Sequence, residues 1–476
     1  MAPPVWLVAP FAVLLGLIAA GPLLFPAHWH RFYPAYALGL GALVAAYYLA
    51  AMDGGGAYVG HAVAEYVSFV ALIGALYVVA GGIFVETSFV RTPLANVALL
   101  AVGALLANVV GTTGASMLLI RPYLRINAGS LRPYHVVFFI FVVSNAGGML
   151  TPIGDPPLFL GFLRGVPFGW TLEHLWPIWL VSVSALLAVF WIVDRRNDTP
   201  TAREALGPAG VPEALSTDGP LSPALPHGHL VRITGARHGW WLAAVIGLVF
   251  LDPNVVAGVP DLHAAGLPFG LRELLLGGVA LVAYRTADPR SLDGNDFSFG
   301  PVREVAWLFA GIFLTMIPAL ATIEATAAAN ADVLTPSLFF WATGALSGVL
   351  DNAPTYLAFL SAAMGAFAAD APAFGSAFVV DNPEAVRALA EPGVPPLLGT
   401  RVVQAISSAA VLFGAMTYVG NAPNFMVKAI AEASGAPVPS FGRYIWRYAL
   451  PTLLPLYALI WFIFFSGHVV PPIALP

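Results

Sequence analysis

The chain has 476 residues, of which 59% are hydrophobic and only 9% are Asp, Glu, Lys or Arg. A soluble surface takes about 25% charged residues, so this composition excludes a soluble protein and describes a chain folded in a bilayer; the mean hydropathy of +0.82 agrees. A net charge of −5 with no run of like charge gives no basis for nucleic-acid binding, and the lack of cysteine excludes disulfides, zinc–thiolate sites and cysteine nucleophiles.

A spanning helix needs roughly 20 mostly apolar residues, with every backbone group paired. In chain order such stretches fall near 6–25, 34–51, 65–86, 133–163, 172–193, 238–253, 267–286, 303–322, 397–430 and 444–466. Two more, 93–121 and 335–369, are interrupted midway by polar and turn residues, and are expected to enter and leave on one side. The expected fold class is an all-α polytopic membrane protein: about ten transmembrane helices plus two re-entrant hairpins, in two inverted-topology repeats with broken helices. The first stretch has no basic residues before it and no small-residue cleavage site, and reads as a retained helix. The expected division is an N-terminal helix pair (1–60), a first repeat (61–193), a Pro/Gly/Ala/Ser-rich cytoplasmic linker (194–237), a connecting helix pair (238–300) and a second repeat (301–476). The linker's composition cannot bury enough apolar surface to order itself, and its His227 and His229 read as solvated.

With the linker inside the cell and both hairpins non-crossing, all of the 20 basic residues except Arg164, Arg272, Arg387 and Arg401 fall on the cytoplasmic side. That is the bias of the positive-inside rule, and it places both termini outside the cytoplasmic (inner) membrane. The segment 370–396, with Asp370, Asp381, Glu384 and Glu391 against one arginine, is then external. Trp6, Trp29, Trp170, Trp176, Trp240, Trp241 and Trp446 near helix ends read as interfacial anchors. His61 with Glu65, and His135, read as interface residues.

The two halves share three local patterns in the same order. Gly82-Ile83-Phe84 matches Gly311-Ile312-Phe313. The first interruption, Gly111-Thr112-Thr113-Gly114-Ala115-Ser116, answers to Asp351-Asn352-Ala353-Pro354-Thr355. Thr151-Pro152-Ile153-Gly154-Asp155-Pro156-Pro157 pairs with Thr417-Tyr418-Val419-Gly420-Asn421-Ala422-Pro423. In the expected topology the halves run in opposite senses across the membrane, an arrangement typical of secondary transporters, whose site lies at the midplane between discontinuous helices.

Four breaks, around Asn108–Thr113, Asn145–Asp155, Asp351–Thr355 and Thr417–Asn424, should meet there. Asp155 precedes Pro156 and Pro157, Asn421 precedes Pro423, and Asp351-Asn352 precedes Pro354, each a helix start with a capping side chain and a first-turn proline; Gly154 and Gly420 stand just before two of them. Asp155 and Asp351 are the only acidic residues expected deep in the membrane, with no Lys or Arg at that depth; Glu86, near a helix end, is a weaker candidate. An intramembrane carboxylate is costly unless paired, protonated or cation-bound, so H⁺ or a transported metal ion, Na⁺, is the expected partner of both. Asn108, Asn145, Asn352, Asn421, Thr113, Thr151, Thr355 and Thr417 supply hard oxygen ligands without added charge. The half-helix N-termini would equally suit a di- or tricarboxylate, but two aspartates repel a polyanion, which favours a cation. No resident cofactor is expected, and no phosphate-binding Gly-rich loop is present.

At Ser144-Asn145-Ala146-Gly147-Gly148, Thr151-Pro152-Ile153-Gly154-Asp155 and Asp351-Asn352-Ala353-Pro354, over roughly 60–195 and 300–466, the chain resembles the ion transporter superfamily. Within it the chain is similar to NhaD-type sodium/proton antiporters and citrate–metal/proton symporters, and more distantly to the arsenite efflux and dicarboxylate/sodium symporter families. The resemblance implies ion-coupling roles for Asn145, Thr151, Asp155 and Asp351, scaffold and transport bundles, and often a homodimer. The chain departs from the antiporters at Pro156-Pro157, where they commonly carry Val-Thr-Thr, and lacks intact paired Ser-Asn-Thr motifs. The leading expectation is Na⁺/H⁺ antiport by alternating access, without enzymatic activity. The alternative is a citrate or dicarboxylate carrier coupled to Na⁺ or H⁺. A remote third is an intramembrane aspartyl protease, whose Gly-x-Gly-Asp pattern is broken here by Pro152.

Overall fold

The computed structural model describes residues 3–87, 91–197, 231–251, 259–260, 262, 267–330, 334–368 and 398–466. Three helices open the chain: α1 (Ala9–Leu24), α2 (Pro26–Ala51) and α3 (Gly55–Gly81). A short strand β1 (Phe84–Thr87) leads to α4 (Pro93–Ile126), then α5 (Pro133–Val142), α6 (Pro156–Leu163) and the long α7 (Phe168–Asn197). Strand β2 (Val231–Thr234) precedes α8 (His238–Val249), α9 (Leu271–Thr286), the short α10 (Pro289–Gly294) and α11 (Gly300–Ala328). The second half then gives α12 (Pro336–Ser347), α13 (Asn352–Ala368), α14 (Leu398–Phe413), α15 (Ala422–Ala433) and a last span, α16 (Phe441–Phe465). Among the described residues nine stretches are long and apolar enough to cross a membrane. The chain is an all-α polytopic membrane protein.

Two of the expected spans fall short of that length. Helix α8 has 12 residues and α9 has 16, so α8 extends about 18 Å, well under the hydrocarbon thickness of roughly 30 Å. The segment expected as a linker is ordered at both ends: 194–197 complete α7, and β2 pairs antiparallel with β1 in the register Glu86↔Arg232. Residues 198–230, with His227 and His229, and 369–397, with the acidic segment, lie outside the described residues.

The stretch 93–121 does fold back on itself. Thr92 caps α4 by accepting from the Ala95 N–H, with Pro93 in the first turn. Helical geometry breaks at Gly111, whose φ of 77° suits glycine. A Cβ on Gly103 would sit 3.2 Å from the side chain of Leu119, whereas 16 residues of straight helix span about 24 Å. Asn96 and Asn127 exchange hydrogen bonds, both of 2.8 Å, across the open end. The arms 93–110 and 112–126 are therefore antiparallel. The second hairpin opens in the same way: Thr335 caps α12 ahead of Pro336, and α13 returns from the tip at Asp351. Helix α15 packs along the first hairpin and α5, while α6 packs along the second hairpin and α14. Leaving a common centre beside opposite hairpins, the half-helices α6 and α15 run in opposite senses.

One expected match between the halves fails. Gly311 lies inside α11, where α2 crosses so closely that a Cβ would strike the Ala37 backbone, whereas Gly82 closes α3 and its successors enter β1. The two triplets therefore occupy different places in their elements. Among the expected anchors, Trp6, Trp240 and Trp446 are exposed, but Trp29 packs on Gly21 and Trp170 stacks on His174, both buried. His135 is also buried, its ring 3.2 Å from Asp194 rather than at an interface.

Candidate substrate site at four helix breaks

Each broken helix narrows to a tight turn before its second half begins: Ala146–Leu150 before α6, and Gly414–Met416 before α15. The two turns are built alike. Thr151 Oγ1 accepts from the Gly154 N–H (3.1 Å), and Thr417 Oγ1 from the Gly420 N–H (3.0 Å). A Cβ on Gly154 would strike the Gly148 carbonyl, and one on Gly420 would lie 2.6 Å from the Gly414 carbonyl, so both turns require glycine for close backbone approach. Each turn also holds the adjacent hairpin tip: the Gly154 carbonyl accepts from the Thr112 N–H (2.7 Å), and that of Gly420 from the Asn352 N–H (3.1 Å). Asp155 and Asn421, both extended, take the N-cap positions of α6 and α15, with Pro156, Pro157 and Pro423 in the first turns.

These equivalences bring four helix starts together around one carboxylate. Asp155 is fully buried. Its Oδ1 accepts from Thr112 Oγ1 and Asn421 Nδ2, both at 2.9 Å, and its Oδ2 from Asn352 Nδ2 at 2.8 Å. Among the described residues no Lys or Arg forms an ion pair with it. Asn145 accepts from Asn421 (3.2 Å) and donates to Asn424 Oδ1 (2.6 Å), whose own amide donates to the Gly414 and Thr417 carbonyls. Asn352 Oδ1 is buried without a partner.

The other expected residues divide by what they touch. Asn108 and Thr151 fasten the first tip to the first break: the Asn108 amide bridges the Gly147 carbonyl and the Leu150 N–H, and Thr151 donates to the Asn108 carbonyl. Thr417 accepts from the Gly420 N–H and the Asn424 amide within its own turn, and Thr355 donates to the Asp351 carbonyl, with Pro354 in the same first turn of α13. Asp351 is half-buried, and among the described residues its carboxylate has one hydrogen bond, from the Ala353 N–H (3.1 Å). With Thr113, Pro156 and Asn421 it lines the inner end of a cavity of about 1200 Å³, which runs past Met117 and Arg121 to the residues around Asp296, beside the β1–β2 ladder.

Thr112, not Thr113, reaches Asp155, and Asn424 completes the amide chain; neither stands out by residue type. The sequence signal for Thr112 was its position, since it opens the returning arm of one hairpin as Asn352 opens that of the other. Burial inside the protein extends to further acidic residues. Glu65, Glu86, Asp194 and Glu273 are also buried, but each has an arginine: Arg164 beside Glu65 (3.0 Å), Arg232 beside Glu86 (3.9 Å), Arg91 on Asp194 (2.9 Å) and Arg272 on Glu273 (2.7 Å). Arg164 and Arg272, two of the four basic residues expected off the cytoplasmic side, are buried against these partners.

Hairpins whose tips meet half-helices from both repeats, in a chain of long apolar helices, define a polytopic membrane protein of the transporter class. The chain belongs to the family CitMHS_2, described as putative citrate transport, whose match extends over residues 1–465. A search of curated proteins returned no match.

Proposed function

We propose that this protein is a secondary active transporter that carries citrate or a related di- or tricarboxylate across the cytoplasmic membrane by alternating access, coupled to H⁺ or Na⁺. The observation that carries this reading is the cavity, which ends at helix breaks of both repeats. The N-termini of α6, α13 and α15 converge at that end and favour anions. Arginines line the way to it, and guanidinium groups suit carboxylates. The family description speaks of citrate. Together these reverse the ranking drawn from the sequence, in which two deep aspartates favoured a cation. Asp351, on the cavity wall with a single hydrogen bond, is placed to meet the coupling cation or one that the carboxylate brings with it. Asp155, wrapped by three neutral donors, fixes the site rather than facing the cavity.

Na⁺/H⁺ antiport is the second reading, favoured by the absence, among the described residues, of an arginine or lysine paired with Asp155. No hydrogen bond joins the two carboxyl groups, which favours transport over an aspartyl dyad. The accompanying orientation puts the cavity mouth in the cytoplasm and the termini outside. The test is uptake of labelled citrate into proteoliposomes under an imposed pH or Na⁺ gradient. Gradient-driven uptake supports the proposal; Na⁺/H⁺ exchange without citrate, and no citrate flux, would replace it with the second reading.

A further inference from the structure

Resting on the carboxylate reading, we propose that Arg121 and Arg125, on the returning arm of the first hairpin, form an anion subsite in the cavity. It holds one carboxylate of a small organic acid between the mouth and the helix breaks, with Asp296 as its exchangeable counter-ion. The two arginines stand four apart in a helix, where like charges repel, and both line the cavity below the hairpin tip. Arg121 is 5% exposed; its Nη2 donates to Asp296 Oδ2 (2.9 Å), while its Nη1 is buried without a partner. Arg125 has no ion pair or hydrogen bond among the described residues; its guanidinium lies 5.5 Å from the Phe84 ring centroid, and its Nε is buried and unmet.

The acidic groups of the cavity do not fill this gap. Glu86 attracts Arg125 electrostatically but makes no ion pair with it, its own being with Arg232 at 3.9 Å, and Asp293 and Glu304 line the cavity without an ion pair to either arginine. Among the described residues Asp296 makes the one ion pair to either arginine, with Arg121, from a side chain 71% exposed. Its φ of 44° is the one left-handed value at a non-glycine residue among the described residues. Such strain persists where the surroundings impose it, and here it places a solvent-facing carboxylate on a buried guanidinium. A carboxylate so exposed is readily replaced by a soluble one, whose second oxygen would meet the donors that Asp296 leaves unmet.

The experiment is citrate flux in proteoliposomes of known orientation, with citrate supplied to each face in turn. Arg125→Gln is expected to raise KM about tenfold, the scale of one charge-assisted hydrogen bond, only from the face on which the cavity opens. Asp296→Asn is expected to lower KM at that same face, because the competing carboxylate is gone. A merely structural role would move both variants in one direction and at both faces. Equal KM shifts at the two faces, or a raised KM in Asp296→Asn, would overturn the subsite while leaving the transport proposal intact. If the wild type carries no citrate, tryptophan fluorescence on citrate addition separates the two ideas. Trp29 lines the same cavity, and quenching that weakens in Arg125→Gln retains the subsite and removes the function; the absence of quenching removes both.

Discussion

Replacing Asp155 by asparagine tests whether the centre is a knot of donors around one acceptor. A carboxylate only accepts, and its three donors are fixed by separate elements: Thr112 by the first hairpin, Asn352 by the second, and Asn421 by the second broken helix. The amide introduced by Asp155→Asn can keep its oxygen toward Thr112 and Asn421 and turn its NH₂ toward Asn352. There it meets another donor, but the Asn352 Oδ1 has no partner, so turning that amide over restores the bond and leaves one unmet atom, as before. What is lost is the charge assistance of three bonds, about 1 kcal/mol each, or about 3 kcal/mol in all. Relief of the buried charge makes this an upper bound. Asp155→Ala instead strands three buried donors at about 1–3 kcal/mol each, roughly 6 kcal/mol. Thermal unfolding in detergent should therefore show Asp155→Asn folded and mildly destabilised and Asp155→Ala severely so, with citrate flux impaired in the first through loss of the charge. Equal destabilisation by the two substitutions, or full flux in Asp155→Asn, would refute the arrangement.

Asp351→Asn removes a carboxylate that makes a single backbone hydrogen bond; its unfolding midpoint should stay within the shift expected for about 1 kcal/mol, while dependence of citrate uptake on the coupling cation is lost, as measured in Na⁺ and pH titrations of flux. Gly420→Ala forces a Cβ against the Gly414 carbonyl; a cost of about 1–3 kcal/mol and loss of transport are expected, and wild-type thermal stability would show that the two turns do not need glycine. Glu65→Gln leaves Arg164 buried beside a neutral group and should cost about 3 kcal/mol. Adding Arg164→Gln should recover part of that, so a double-mutant cycle with strictly additive losses would contradict the ion pair.

Much of the architecture was legible because it is written in long-range hydropathy and in helix-start chemistry. Thr-Pro opens both hairpins, and Asp or Asn followed by proline opens each half-helix; both signals act locally, and the fold keeps them. The broken helices were legible for the same reason. The roles of individual polar residues were not. Thr113 and Thr112 are adjacent and identical, and only the turn at Gly111 decides which one reaches Asp155. Arg164 and Glu65 lie 99 positions apart, so hydropathy could place each near a helix end but could not pair them. The sequence therefore assigned Arg164 a side of the membrane but not its burial against Glu65.

The buried acids thereby separate into two kinds. Glu65, Glu86, Asp194 and Glu273 each have an arginine, and the first three of these pairs join separate elements, while Glu273 reaches α3 through Ser68. Asp155 and Asp351 have neutral donors alone, and both lie where the repeats meet. The near-symmetry of the repeats explains why one charge suffices at the centre. Asp155 and Asn421 are equivalent, as are Thr112 and Asn352, so a fully symmetric centre would place two carboxylates within hydrogen-bond distance of each other, where one would have to remain protonated. With an amide at 421, the second repeat donates to the charge of the first, and both hairpins and both broken helices are tied into one body. Glu65 links that body to α3 through Arg164, beyond the half-helix α6.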